Sequence, residues 1–109
     1  MLHHMKGKLT KRGILEAIIS GEKEECIAYF PDKKFLFDDI EDKLNYYIYK
    51  VEEEYNKIKH VESMKEFASY AVLLDCNSAM FAVKRGKCSS IRKYILSMQI
   101  DKIMEHIKL

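Results

Sequence analysis

The longest regular pattern of apolar positions lies in the middle of the chain. Apolar residues recur there at steps of three and four and form one stripe: Phe37, Ile40, Leu44, Tyr47, Ile48, Val51, Tyr55 and Ile58. This spacing is that of one face of an α-helix, and strand-like alternation persists nowhere for more than a few residues. The pattern predicts a long central helix over about residues 33–60.

Capping residues predict two shorter helices before the central one. Thr10 can accept a hydrogen bond from the first turn of a helix, and Gly21 can end that helix in the left-handed conformation. A second helix is predicted over residues 22–29, because Pro31 cannot continue it.

The second half of the chain is predicted to form further short helices. Ser63 and Glu66 have the spacing of a capping box, which opens a helix that continues to about residue 75. Another helix over residues 78–85 ends at Gly86. The last begins at Ser89 or Ser90, and its apolar stripe loses phase near residue 101. The predicted fold class is therefore all-α, with about five to six helices around the central one.

Size and composition are those of one folded domain. The 109 residues include 48% hydrophobic residues and carry a formal net charge of +2. A chain of this length buries one core, and its charge is far from the excess typical of disordered proteins. We expect a basic N-terminal arm over residues 1–9 and a single compact helical domain over residues 10–109.

Neither a membrane segment nor a metal site is indicated. No apolar run approaches the roughly 20 residues of a membrane span, and the start is too polar for a signal peptide. Cys26, Cys76 and Cys88 have neither C-x-x-C spacing nor paired histidines, so we expect reduced thiols, no metal and no cofactor. The sequence therefore predicts a cytoplasmic protein.

Basic residues concentrate between residues 84 and 93, a segment called here the basic turn, which contains no acidic residue. A glycine-broken turn leads there into a predicted helix N-terminus, which favours anions and is unfavourable for uncompensated cations. Lys and Arg side chains add charge-assisted hydrogen bonds to phosphate oxygens. The predicted RNA-binding residues are Lys84, Arg85, Lys87, Ser89, Ser90, Arg92 and Lys93. The alternative is a solvated turn that opposes the acidic central helix.

A second basic segment lies at the start of the chain. Lys6, Lys8, Lys11 and Arg12 occur there with no acidic residue among the first 13. If this segment packs against the basic turn, Lys11 and Arg12 belong to the same RNA-binding surface. Short basic arms are also common without any ligand, so both interpretations stay open.

The central helix is rich in tyrosine and in acidic residues. Tyr47 and Tyr55 fall on its apolar stripe, and we expect most of the tyrosines to lie in the core. Two others fall off the stripe, where acidic neighbours favour contact with protein over contact with RNA. The predicted protein-interaction residues are Tyr46, Tyr49, Glu52 and Glu53.

Catalytic motifs are absent from the sequence. It contains no P-loop, no H-E-x-x-H and no G-x-S-x-G. His60 and His106 are isolated and are predicted to be exposed or half-buried. The acidic residues between 38 and 42 diverge around a helix by about 100° per residue, which favours a solvated face over a metal site. We expect a protein without catalytic activity.

Three short segments resemble the C-terminal helical domain of bacteriophage RNA ligases. They are KEFA at residues 65–68, AMFAVKRGK at residues 79–87 and IRKYI at residues 91–95. That domain has a KEFA-like helix, a Phe-Ala-x-x-x-Gly-Lys turn and an I-x-K-Y-I-like helix in the same order. The resemblance covers about residues 14–95.

The resemblance implies a module that contacts tRNA and helps to choose the RNA substrate. It does not imply ligation, because the K-x-D-G motif of the ligase nucleotidyltransferase domain does not occur here. Family-level analogy further implies a phage protein that inhibits host defence, as anti-CRISPR proteins do with RNA-guided complexes.

Binding of RNA, either tRNA or a tRNA fragment, is accordingly the leading hypothesis. The first alternative is an inhibitor that docks on a host nuclease or CRISPR effector through the acidic, tyrosine-bearing helix. The second is a helical homodimer without a ligand.

Overall fold

The computed structural model describes residues 9–61, 63, 65–66 and 77–109, and within these ranges the chain is helical and contains no strand. Its helices are α1 (Lys11–Ser20), α2 (Lys23–Tyr29), α3 (Lys34–Ile58), α4 (Asn77–Lys84), α5 (Ile91–Leu96) and α6 (Ile100–Ile107), with a 3₁₀ turn at Pro31–Lys33. The predicted all-α class and the long central helix are confirmed.

Both predicted caps of α1 are present. The hydroxyl of Thr10 accepts a hydrogen bond of 3.0 Å from the backbone N–H of Gly13. Gly21 follows the helix with φ 82°, and the N–H of Glu22 then bonds to the carbonyl of Ala17 at 2.8 Å. These bonds satisfy backbone groups that a helix end leaves unpaired.

The apolar stripe of α3 faces the interior. Its fully buried members are Phe37, Ile40, Leu44, Ile48, Val51 and Ile58. Tyr47 and Tyr55 lie on the same stripe but are only half-buried. Glu54 is also buried, which the stripe did not predict, and it accepts a hydrogen bond of 3.2 Å from Lys57 one turn later.

The basic turn has the local structure that its glycine and serines predict. Gly86 adopts φ 76°, and the N–H of Lys87 bonds to the carbonyl of Ala82 at 2.8 Å, which closes α4. Ser90 caps α5 by accepting a hydrogen bond of 3.1 Å from the N–H of Lys93.

After the basic turn, the chain forms two short helices instead of one long final helix. α5 ends at Leu96, where the hydroxyl of Ser97 donates to the carbonyl of Tyr94 at 2.6 Å. Gln99 has extended backbone with ψ 142°, and α6 starts at the next residue. The predicted interruption near residue 101 is confirmed, but the helix that follows the basic turn has only six residues.

The predicted capping box at Ser63 is confirmed for one of its two hydrogen bonds. The N–H of Glu66 donates to the Ser63 hydroxyl at 3.1 Å. The helix predicted beyond it, Cys76 and the basic residues Lys6 and Lys8 lie outside the described residues.

The chain folds as two compact units, of which one comprises Met1–Asn45 with Gln99–Leu109 and the other Tyr46–Met98. In the first unit α1 packs against α2 and α6, with Ile14, Leu15 and Ile103 fully buried. In the second, α4 packs against α5, with Met80 and Ile95 fully buried. The predicted bounds of a single domain and of an N-terminal arm stay predictions.

Among the described residues, no helix has both the length and the hydropathy that a membrane span requires.

Candidate functional site

The basic turn lies in the second unit, between α4 and α5. The side chains of Arg85, Lys87 and Lys93 are exposed, and Lys84 is half-buried. No carboxylate of the described residues lies within 4.0 Å of any of these four cations. Arg92 is exposed as well. Lys84, Arg85, Lys87 and Lys93 therefore carry positive charge that no carboxylate of the described part of the chain compensates.

The lysines of α2 and α3 differ from those of the basic turn, because they lie beside carboxylates. The pairs are Lys23 with Asp38 and Glu41, Lys34 with Asp38, Lys43 with Asp39, Lys50 with Glu53, and Lys57 with Glu54. The acidic helix is thus largely neutralised by its own lysines and by α2. The sequence left open whether the acidic helix neutralises the basic turn. Among the described residues, no ion pair between this helix and the basic turn supports that interpretation.

Lys23 is the most enclosed of these lysines. It donates hydrogen bonds of 2.6 Å to Glu41 and 3.0 Å to Asp38. The bond to Glu41, followed by that to Asp38, raises the pKa of Lys23 above its ordinary value. Hydrogen bonds from Lys34 and then Lys23 lower the pKa of Asp38. Asp38 and Glu41 of α3 therefore hold α2 and α3 together within the first unit.

Two cations of the basic turn have roles within the fold. Lys84 donates to the backbone carbonyl of Lys59, just after the end of α3, where helix carbonyls lack partners. The guanidinium of Arg85 lies 5.1 Å from the centre of the Phe81 ring, one helical turn earlier. The side chains of Lys87 and Lys93 are the ones left without a partner among the described residues.

The two serines of the turn differ in their roles. Ser90 supplies the cap of α5, whereas the exposed Ser89 makes no hydrogen bond within the described residues. Cys88 is half-buried and donates to the carbonyl of Ser90 at 3.4 Å. The sequence predicted a helix N-terminus that favours anions, but α5 has only six residues, so the positive charge of the turn comes mainly from its side chains.

Lys11 and Arg12 belong to the first unit, at the start of α1. Lys11 is exposed. Arg12 pairs with Asp101 of α6 and lies 3.6 Å from Glu16, so its charge is compensated. Their predicted membership of one surface with the basic turn stays a prediction.

A groove of about 280 Å³ opens beside the basic turn, within the second unit. Val83 and Ile91 provide apolar lining, and Glu52, Tyr55 and Asn56 line it from α3 together with Ser89 and Ser90. Sequence reasoning missed Tyr55 and Asn56 as site residues, since only packing of the turn beside α3 brings them to a common groove.

No family model, curated protein or solved structure matches the chain. The ligase-like motifs consequently stay a resemblance of short segments. Function has to be inferred from the residues and their geometry.

The exposed tyrosines of α3 form a second candidate surface. Tyr46 is 63% exposed and Tyr49 is 56% exposed, which confirms that both lie off the buried stripe. The Tyr49 hydroxyl lies 3.5 Å from Glu53, to which Lys50 also donates. Glu52 differs from Glu53 because it lines the groove.

The expectation that most tyrosines lie in the core is wrong for the described ones. None of Tyr29, Tyr46, Tyr47, Tyr49, Tyr55 and Tyr94 is fully buried. Phe35, at the start of α3, is likewise 66% exposed and was not predicted to be. Tyr29 and Phe35 lie in the first unit, whereas Tyr46 and Tyr49 lie in the second.

Metal-ligand geometry is not found among the described residues, where no three His, Cys, Asp or Glu side chains are grouped to hold an ion. His60 is exposed and His106 half-buried, as predicted. Cys26 is buried and free, and burial raises its pKa, which disfavours the reactive thiolate.

Proposed function

We propose that this protein binds RNA, either tRNA or a tRNA fragment, through the basic turn and without catalysing a reaction on it. The observation that carries the proposal is the contrast between two sets of cations. Lysines on α2 and α3 lie beside carboxylates, whereas no carboxylate of the described residues lies within 4.0 Å of Lys84, Arg85, Lys87 or Lys93. The ligand that best satisfies such a cluster is a polyanion.

The spacing of the cations suits a phosphate backbone rather than a single phosphate. Lys87 precedes the cap of α5 and Lys93 lies in its first turn, so their side chains leave the backbone at separate points of the turn. Arg85, held above the Phe81 ring, presents a planar fork that can donate two hydrogen bonds to one phosphate. Contacts of this kind position RNA without reading its sequence.

Binding through phosphates has a measurable signature. Each neutralised phosphate of a single strand contributes about −0.7 to the slope of log affinity against log salt concentration. With three to four cations engaged, we expect a slope of about −2 to −3 for a short single-stranded RNA. Fluorescence anisotropy with labelled tRNA and a labelled 12-nucleotide RNA, between roughly 50 and 300 mM salt, measures it. Undetectable binding at the lowest salt would contradict the proposal.

A second candidate function is supported by the exposed rings of Tyr46 and Tyr49. Tyrosine is enriched in the energetically dominant positions of protein interfaces, and both rings are more than half exposed. In this candidate the protein inhibits a host nuclease or an RNA-guided CRISPR effector by docking on it. It differs from RNA binding in using exposed tyrosines of α3 as anchors and not the cations of the basic turn.

Replacing Tyr46 and Tyr49 together by alanine tests the second candidate. If the two rings anchor a partner, affinity should fall by about 30-fold or more, because interface anchors of this type contribute about 2 kcal/mol or more. The measurement is capture of one protein from nuclease-treated lysate by the wild-type chain, followed by titration of that protein. A partner lost equally with Lys87→Glu and Lys93→Glu would be held through the basic turn instead. Substituting the neighbouring Glu54 would not test this surface, because its side chain is buried.

A further inference from the structure

We infer that the groove beside the basic turn is a pocket for one unpaired guanine base of the bound RNA. The inference rests on the proposed function, because it assigns a base-reading role to a part of the same surface. The groove lies at Ser89–Ile91, within the segment whose lysines would hold the phosphates. Neither the cation cluster nor the short motifs select a base.

The size of the groove limits what it can hold. Its volume of about 280 Å³ lies just below the roughly 300–1,000 Å³ of pockets for drug-sized ligands. A single base with part of its ribose is of suitable size, whereas a base pair is not. Sequence-specific recognition of RNA also commonly uses bases that are splayed out of a single strand.

The lining provides the types of group that recognise a base. Val83 and Ile91 are apolar, and Tyr55 provides an aromatic ring on which a base can stack. Glu52 and Asn56 lie one helical turn apart on α3, so their polar groups are neighbours. Neither side chain makes a hydrogen bond within the part of the chain that the structure describes.

The carboxylate of Glu52 selects among the four bases. An ionised carboxylate only accepts hydrogen bonds, and it binds best to two adjacent donors. Guanine presents N1–H and an N2 amino group side by side on its Watson–Crick edge. Adenine, cytosine and uracil place an acceptor beside every donor on that edge, so one carboxylate oxygen would face an acceptor. The amide of Asn56 can donate to the guanine O6.

The test compares three heptanucleotides that differ only at the central base: seven uridines, uridines with a central guanosine, and uridines with a central inosine. Inosine lacks only the N2 amino group of guanosine. We expect the guanosine heptamer to bind about tenfold more tightly than heptauridine, with inosine between them, because a bidentate base contact discriminates by about 1–3 kcal/mol. Affinity is measured by anisotropy at one fixed salt concentration.

Glu52→Gln is the decisive variant, and Glu53→Gln is its matched control. Glu53 is the next residue of the same helix, but it pairs with Lys50 and does not line the groove. In Glu52→Gln the ratio of the guanosine-heptamer affinity to the heptauridine affinity should fall to about twofold or less, since glutamine replaces one acceptor by a donor. Glu53→Gln should keep the preference. Unchanged circular dichroism and thermal midpoint show that both variants fold.

Each other outcome is informative. Equal affinity of the wild-type chain for all three heptamers, with a salt slope, would overturn the guanine pocket and leave RNA binding intact. A guanosine preference that survives Glu52→Gln would also overturn it, because the base would then be read elsewhere. Failure of every heptamer and of tRNA to bind would overturn both proposals.

Discussion

Phe37→Ala is expected to lower the free energy of unfolding by about 3–5 kcal/mol, the largest stability change that we predict for a single substitution. The Phe37 side chain is 0% exposed and belongs to the buried stripe of α3. Alanine would remove most of the ring and leave a cavity that the surrounding helices fill only in part. Typical domains unfold at a cost of about 5–15 kcal/mol, so much of the stability would be lost. Urea denaturation followed by circular dichroism measures the change.

Phe35→Ala is the matched control for this prediction. The substitution is the same and lies two residues away on the same helix, but Phe35 is 66% exposed. We expect a change of about 0.5 kcal/mol or less, as for surface positions in general. Similar losses in the two variants would mean that the α3 stripe does not face the core at residue 37.

Lys87→Glu combined with Lys93→Glu is expected to reduce RNA affinity by about 100-fold or more. Hydrogen bonds to charged groups contribute about 1.5–3 kcal/mol each, and two of them would be replaced by repulsion. The slope of log affinity against log salt should also become shallower by about 1.4, which corresponds to two phosphates of a single strand. Anisotropy with the same labelled RNA at several salt concentrations gives both quantities.

These two positions separate binding from folding better than Lys84 and Arg85 do. Lys84 holds the carbonyl of Lys59, and Arg85 packs on Phe81, so charge reversal there would also disturb the second unit. By contrast, glutamate at position 93 lies three residues after the Ser90 cap, where acidic residues favour a helix start. A loss of affinity in this double variant therefore does not follow from unfolding.

The control for charge alone is Lys102→Glu with Lys108→Glu. Both lysines are exposed, and the substitutions change the net charge by the same amount in the first unit. We expect less than about a threefold loss of RNA affinity, because neither lysine belongs to the basic turn and salt screens exposed charges that do not contact the RNA. Equal losses in the two double variants would show that RNA responds to the net charge and not to the basic turn.

Local sequence signals were sufficient for most helix ends. Thr10 and Ser90 each accept the hydrogen bond expected of a cap, and both Gly21 and Gly86 adopt the left-handed conformation that ends a helix. These signals are reliable because they involve groups within a few residues of one another. The length of α5 was less predictable from the sequence, because the Ser97 hydroxyl closes this helix by a local hydrogen bond that no apolar pattern reveals.

The candidate site was predictable only in part. The accumulation of cations between residues 84 and 93 is a property of the sequence, whereas their partners are not. In the sequence, Arg12 is equivalent to the cations of the basic turn. In the structure it pairs with Asp101, which lies 89 residues away in the chain. Lys84 likewise reaches a carbonyl 25 residues earlier. Such pairings decide which charges are available to a ligand.

The sequence by itself determined the all-α class, the position of the central helix and most caps, because periodicity and capping act over one or two helical turns. Only the tertiary structure decided which charges are neutralised, that Glu54 is buried, and that Glu52, Tyr55 and Asn56 line a groove beside Ser89. The physical reason is distance along the chain. Burial and ion pairing depend on groups that packing brings together from separate helices, and no local pattern encodes those partners.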